Sequence, residues 1–133
     1  KETSNIIHRF ILPITLLGLV SAQTVALNDK TITIVKDEVV LEVRGLVCSF
    51  CAMGLQGGLS SLKYVDKKKY NNGVFVDVEY QYAVIAEKSN QDIDIDEAIT
   101  MITKSGYEVL SVYTNRTGEK IEVRKFEAKK DEK

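Results

Sequence analysis

The sequence has no tryptophan, one proline, one histidine and two cysteines among its 133 residues. The proline and the histidine, Pro13 and His8, both lie near the amino terminus. If processing removes that segment, no histidine remains to serve as a general base or as part of a catalytic triad. We therefore expect that the protein is not an enzyme.

The sequence also lacks a surplus of positive charge. Its 18 lysines and arginines are balanced by 19 aspartates and glutamates, which gives a formal net charge of −1. A nucleic-acid partner is therefore not expected. With 44% hydrophobic and 28% charged residues, the composition is that of one globular domain of ordinary size.

The first residues have the three-part pattern of a secretory signal peptide. A basic start precedes an apolar run over residues 10–20, and the small residues Ser21 and Ala22 follow it. The run is too short to span a bilayer, which needs ~20 residues. We predict that residues 1–22 are a signal peptide and that the protein is exported, to the periplasm or the medium, without stable membrane insertion after cleavage. The alternatives are an uncleaved membrane anchor and a disordered tail.

After the leader, the sequence divides into an arm over residues 23–37, a domain over residues 38–126 and a charged tail over residues 127–133. Periodicity and turn signals predict the elements of the domain. They are a strand at 38–44, a helix at 51–62, a Lys-rich edge strand at 64–70, a strand at 74–80 that residues 82–86 extend, a helix that Asp92, Asp94 or Asp96 caps and Gly106 ends, a strand at 107–113 and an added strand at 120–126.

This order predicts an α+β fold, a ferredoxin-like βαββαβ sandwich with two helices on one face of an antiparallel sheet and an extra C-terminal hairpin strand. The first and third strands should be central, with the Lys-rich strand at an edge. Strand alternation places Val109 on one face of the last core strand and Leu110 and Val112 on the other. The residues expected to share one core are Val39, Leu41, Leu55, Val76, Ile99 and Val109.

The cysteines, Cys48 and Cys51, lie between the first strand and the first helix of this order. Such a pair can bind a soft metal ion, cycle between dithiol and disulfide, or form a structural disulfide. A helix N-terminus lowers the pKa of a nearby thiol, which favours thiolate. Two thiolates suit Cu(I), and Hg(II) by the same reasoning, whereas structural zinc needs four ligands and is disfavoured for a monomer. Met53 and Met101 are weak candidate ligands, since methionine at helical positions usually fills a core.

The stretch Gly45-Leu46-Val47-Cys48-Ser49-Phe50-Cys51 resembles the Gly-Met-Thr-Cys-x-x-Cys motif of the heavy-metal-associated domain family. The leucines of the first helix and the pair Gly106-Tyr107 also match, and a secreted single copy is most similar to the periplasmic mercury- and copper-binding carriers. The resemblance implies that Leu46, in place of the motif methionine, packs under the metal loop and that Tyr107 lies beside it. Val47 replaces the motif threonine.

The resemblance implies that Cys48 and Cys51 bind a soft ion, Cu(I) or Hg(II), and transfer it. The implied partner is a metal-donating or metal-accepting protein, with a membrane metal transporter as one candidate. Two alternatives remain open. One is an exported thiol–disulfide redox protein, although thioredoxin-like proteins share a cis-proline that the chain after residue 22 lacks. The other is a ferredoxin-like module whose cysteines form only a structural disulfide.

Overall fold

The computed structural model describes residues 23–126, so the predicted signal peptide (1–22) and charged tail (127–133) lie outside the described residues. Within that range, no helix has both the length and the apolar character needed to cross a membrane. The elements are β1 (Thr24–Leu27), β2 (Lys30–Thr33), β3 (Glu38–Arg44), α1 (Ser49–Ser60), β4 (Val74–Asp77), β5 (Tyr82–Ala86), α2 (Ile95–Lys104), β6 (Glu108–Thr114) and β7 (Glu122–Lys125).

Strands β3 to β7 form one antiparallel sheet in the order β4-β5-β3-β6-β7. From β3 to β6 the elements follow one another as βαββαβ, and the first and third strands of that unit, β3 and β5, are neighbours at the centre. The predicted ferredoxin-like sandwich is confirmed, and β7 is the added strand beside β6.

Both helices pack on the same face of the sheet. Leu55 and Leu59 of α1 and Ala98 and Ile102 of α2 are buried in one core with the alternate residues of β3. Asp94 caps α2, because its side chain accepts the Glu97 N–H at 3.2 Å. All six residues predicted to share a core lie in this cluster, with two of them half-buried at its border; the buried ones are Val39, Leu41, Leu55 and Val109, and the half-buried ones are Val76 and Ile99.

The other face of the sheet is covered by the segment predicted as an arm. Strands β1 and β2 form a hairpin whose tight turn places Asn28 and Asp29 at φ 50° and 73°, which suits the left-handed tolerance of these residue types. Apolar side chains of the hairpin and of the chain after it pack against the sheet in a second, smaller core; its members are Leu27, Ile32, Ile34, Val40, Tyr82, Val84 and Tyr113. The sheet is therefore buried on both faces.

The prediction of a Lys-rich edge strand at residues 64–70 is wrong. This segment is a series of turns, in which Tyr64 and Tyr70 have φ of 73° and 53° and the Lys69 carbonyl accepts the Gly73 N–H at 2.7 Å. An isolated β-bridge pairs Val65 with Glu87, and the Tyr70 hydroxyl donates to the Glu38 carboxylate of β3. Left-handed residues interrupt the extended conformation that a strand requires, so the edge position belongs to β4.

The predicted strand at 74–80 also ends earlier than expected. The chain reverses after Asp77, whose Oδ1 accepts the Tyr80 N–H at 2.9 Å, and Gln81 has a left-handed φ of 59°. Residues on either side of this turn pair as an antiparallel hairpin, with Asp77 opposite Tyr82. Residues 82–86 are therefore a separate strand, β5, and not an extension of β4.

A β-bulge changes the face assignments predicted for β6. Glu42 pairs with Ser111, but the next residue, Val43, pairs with Val109, so Leu110 is the extra residue. Because a bulge adds one residue to the period-two alternation, Val109 and Val112 both pack in the core beneath the helices. The prediction that Val112 faces the opposite side from Val109 is wrong for this reason.

Candidate metal centre

The two cysteines lie on the corner where β3 turns into α1. Gly45 turns the chain after β3 with φ +107°, a conformation that glycine adopts without steric cost. Cys48 is the N-cap of α1 in an extended conformation, and its Sγ accepts the Cys51 N–H at 3.2 Å. Cys48 is exposed, Cys51 is half-buried, and in the described part of the chain neither is in a disulfide. Both sulfurs therefore stand at the positive end of the helix dipole.

The local contacts favour the thiolate form of Cys51. Its pKa lies below the usual value for cysteine, first because of the hydrogen bond with the Cys48 side chain and next because of the hydrogen bond with the Tyr107 side chain. Backbone hydrogen bonds from Val47 and Cys48 act in the same direction, while partial desolvation opposes them. A thiolate is the form of cysteine that binds metal ions, so these contacts make a ligand available at lower pH.

Tyr107 interacts with both cysteines of the corner, with Cys51 through a side-chain hydrogen bond and with Cys48 electrostatically. Its hydrogen bond with Cys51 is the main cause of a raised Tyr107 pKa, so the hydroxyl keeps its proton and donates it toward the sulfur. Its ring also packs closely on the turn, because a Cβ added to Gly45 would lie 3.3 Å from Tyr107 Cδ1. The motif resemblance implied that Tyr107 lies beside the loop, and in the structure its side chain contacts Cys51 and Gly45.

Leu46 connects the cysteine corner to the main core. Its side chain is only 2% exposed and belongs to the main core, together with Leu55 of α1 and Val43 of β3. The leucine thus fills the position under the loop that the motif resemblance assigned to it, and its burial fixes the chain two residues before Cys48.

The metal ligands that the described residues offer at this corner are few, and they are soft sulfur atoms. In residues 23–126 no group of three or more His, Cys, Asp or Glu side chains could hold a metal ion. Met53 is 62% exposed on α1, and Met101 packs against the core, with its sulfur 3.3 Å from where a Cβ on Gly58 would lie. A pair of thiolates fits a soft ion of low coordination number and does not supply the four ligands of structural zinc.

Two features of this site were not predicted from the sequence. The side chain of Gln81, in the turn between β4 and β5, contacts the backbone of Gly45 and Leu46. Beside the cysteines, Val47 and Phe50 are 79% and 81% exposed. The exposed apolar residues could have been found, because no charged residue occurs from Leu46 to Leu62. The Gln81 contact spans 35 residues, and no local pattern indicates it.

Comparisons with known proteins give similarities to solved structures only. No protein-family model matches the chain, and no curated protein sequence matches it. The solved structures include the CopZ metallochaperone, which is 18% identical with a TM-score of 0.46 over 55% of this chain and 98% of that chain. The yeast copper transporter domain CCC2A is 23% identical, with a TM-score of 0.45 over 55% of this chain and 93% of that one. Oxidized MerP from Ralstonia metallidurans CH34 is 24% identical, with a TM-score of 0.44 over 54% and 90%.

In its cysteine motif and its strand order, the chain is similar to the heavy-metal-associated domains. The order β4-β5-β3-β6, with both helices on one face, defines the ferredoxin-like fold without reference to these structures. The corner that carries Cys48 and Cys51 follows the first strand of that unit, as the motif predicts.

Replacing Tyr107 by phenylalanine should raise the pKa of Cys51. Loss of the hydroxyl removes a hydrogen bond that lowers this pKa, so the thiolate would form only at higher pH. Alkylation of reduced protein by iodoacetamide, followed at each cysteine by mass spectrometry across a pH series, measures this shift. The midpoint for Cys51 should move to higher pH in Tyr107→Phe. In the matched control Tyr64→Phe, on the turn after α1, it should stay where it is in the wild type. An unchanged midpoint in Tyr107→Phe would contradict the assigned contact.

Proposed function

We propose that the protein binds one soft heavy-metal ion, Cu(I) or Hg(II), between the thiolates of Cys48 and Cys51 and passes it to the thiolates of another protein. The observation that supports this most directly is the corner itself. An exposed cysteine caps a helix, its sulfur accepts the N–H of the second cysteine, and the second thiol has a lowered pKa. Each of these features favours a dithiolate ligand at the surface.

Transfer follows from the small number of ligands. An ion held by two sulfurs has room for a third, so an incoming thiolate can bond to the ion before either of the first two leaves. The ion then passes on when the bond to Cys48 or Cys51 breaks, with no change of oxidation state. Since Cys48 is exposed, the incoming thiolate can approach from that side.

The surface around Cys48 suits a partner that docks through apolar contacts. Val47, Phe50 and Met53 are 79%, 81% and 62% exposed, and α1 carries no charged residue in either its first or its last turn. Exposed apolar side chains grouped beside a reactive site are typical of an interaction surface. We propose that the partner is a metal-donating or metal-accepting protein, with a membrane metal transporter as one candidate. Exchange should occur outside the cytoplasm, in keeping with the predicted leader.

Metal titration of the reduced protein tests this proposal. Cu(I) and Hg(II) are added in turn to the wild type, Cys48→Ser and Cys51→Ser in competition with a chelator, and retained metal is counted per chain. We expect one ion per wild-type chain, no stoichiometric retention in either serine variant, and full retention in the control Ser49→Ala. Retention by the wild type should fall in acid, because protons compete for the sulfurs.

The redox alternative gives a different result in the same samples. A thiol–disulfide redox protein would catalyse the reduction of a model disulfide, and its reduced form would retain neither Cu(I) nor Hg(II). That combination would contradict the carrier proposal.

A further inference from the structure

The side chain of Gln81 is bonded at both ends to the chain that leads into the cysteine corner. Its Oε1 accepts the N–H groups of Gly45 at 3.0 Å and Leu46 at 3.1 Å. Its Nε2 donates to the Leu46 carbonyl at 2.5 Å and to the Val78 carbonyl at 2.6 Å. Three of these four hydrogen bonds end on two consecutive residues, the second of which is two positions before Cys48.

These hydrogen bonds continue the sheet where its backbone ladder ends. Strands β3 and β5 pair as far as Glu42 and Tyr82, and the Val43 N–H then donates to the Gln81 carbonyl at 3.0 Å. Past this point Gly45 and Leu46 turn away from the ladder, and backbone groups there still need partners. The Gln81 amide supplies an acceptor and a donor in place of a further strand residue.

The backbone conformation at position 81 does not favour glutamine, so the hydrogen bonds of its side chain explain why glutamine occupies this position. Its φ of 59° is left-handed, a region that glycine occupies freely and longer side chains avoid. The turn also has hydrogen bonds that do not involve Gln81: the Tyr80 N–H donates to Asp77 Oδ1 at 2.9 Å, and the Tyr80 carbonyl accepts from Asn28 Nδ2 at 2.7 Å. Glycine would therefore relieve backbone strain at this position but would remove the amide.

We propose that Gln81 is the positioning residue of the metal loop. Its amide fixes the backbone of Gly45 and Leu46 through three hydrogen bonds, and the Tyr107 ring packs closely on Gly45. The chain runs from Leu46 directly to Cys48, so the hydrogen bonds that fix its backbone determine the position of the exposed Cys48 sulfur relative to Cys51. The consequence for metal release rests on the proposed function, whereas the ordering of the loop by Gln81 does not.

Two substitutions of Gln81 separate positioning from general stability. Gln81→Met keeps the length of the side chain and the strained backbone but loses all four hydrogen bonds. Gln81→Gly loses the hydrogen bonds and relieves the strain. Asn90→Gly is the matched control, because Asn90 also has a left-handed φ, 60°, in the loop before α2. Each variant is compared with the wild type in amide hydrogen exchange of the reduced, metal-free protein, in the denaturant midpoint, and in the rate of Cu(I) release to a chelator.

We expect faster exchange at the Gly45 and Leu46 amides in both Gln81 variants. Cu(I) release should be about tenfold faster in both, as is typical for the loss of a group that orients a metal ligand. The unfolding midpoint of Gln81→Gly should not fall, and Asn90→Gly should match the wild type in exchange and release. Faster release together with an undiminished midpoint is a result that a merely structural role would not produce.

Unchanged exchange at Gly45 and Leu46, or unchanged release, would overturn the proposal. Faster release in Gln81→Gly alone would also overturn it, because the cause would then be the freedom of glycine in the turn. If the wild type retains no metal, the proposed function fails, but the exchange measurement still decides whether Gln81 orders the loop.

Discussion

Replacing Arg116 by methionine is expected to lower the free energy of unfolding by about 3–5 kcal/mol. The reason is the Glu87 carboxylate, whose side chain is 1% exposed. Each of its two oxygens lies 2.6 Å from Arg116 Nη1. The carboxylate also accepts the Ile93 N–H at 3.0 Å, which does not neutralise its charge. Without the guanidinium, a buried negative charge is left uncompensated. Removing one partner of a buried ion pair is strongly destabilising for this reason. Denaturant unfolding of the two proteins measures the difference.

A matched control uses the same guanidinium and an exposed partner. Arg116 Nη1 also lies 2.9 Å from Asp92 Oδ1, but the Asp92 side chain is 65% exposed. Asp92→Asn should therefore change the free energy of unfolding by less than about 1 kcal/mol. Adding Glu87→Gln to Arg116→Met should recover part of the lost stability, since it removes the unpaired charge. If Arg116→Met unfolds at the wild-type midpoint, the ion pair does not have the assigned role.

Truncating Leu59 to alanine should lower the free energy of unfolding by about 2–5 kcal/mol. Leu59 is fully buried on the inner face of α1 and packs in the core that also holds Leu41 and Ile102. Removal of its branched end loses apolar burial and leaves a cavity between helix and sheet, and both effects destabilise the fold. The unfolding midpoint, with the denaturant slope checked for constancy, measures the loss.

Met53 on the same helix provides the comparison. It is 62% exposed, so Met53→Ala should change stability by no more than about 0.5 kcal/mol. Equal effects of the two substitutions would mean that the faces of α1 are assigned wrongly.

The central elements could be predicted because their local signals agree with their burial. Strand β3 reads as alternating apolar residues, and each helix shows an apolar stripe whose leucines and isoleucines pack in or against the main core. The end of α2 was marked by Lys104 in the last turn and Gly106 after it, a signal that does not depend on the tertiary fold. The added strand β7 followed from the turn before it.

The second half of the sheet was harder to predict because unusual residues occupy its turns. Tyr64 and Tyr70 adopt left-handed φ values in a Lys-rich segment that was predicted as an edge strand despite its poor alternation. Gln81 does the same at the tip of the β4–β5 hairpin, where glycine or asparagine would have signalled a turn. The bulge at Leu110 likewise arises from pairing with β3 and not from its own sequence.

For the candidate site, sequence reasoning singled out four of the residues that lie on the corner or pack against it. Cys48 and Cys51 were found from their spacing, and Leu46 and Tyr107 from the motif resemblance. Gln81 was not found, because a side chain that bonds to a backbone 35 residues away leaves no mark in the sequence around either. The hairpin of β1 and β2 was missed as a cover of the sheet for a similar reason, since its partners are Val40, Val84 and Tyr113 on three other strands.

Strand β7 has a consequence for colloidal behaviour at high protein concentration. It is the last strand of the sheet, all four of its residues are exposed, and Glu122, Arg124 and Lys125 carry charge. An outer strand offers unpaired backbone groups to any other extended chain, and charged side chains of both signs oppose such growth of aggregates. We therefore expect that copies of the protein do not stack into fibres along β7. This protection matters because Phe50 and Val47 are exposed elsewhere on the surface and favour self-association.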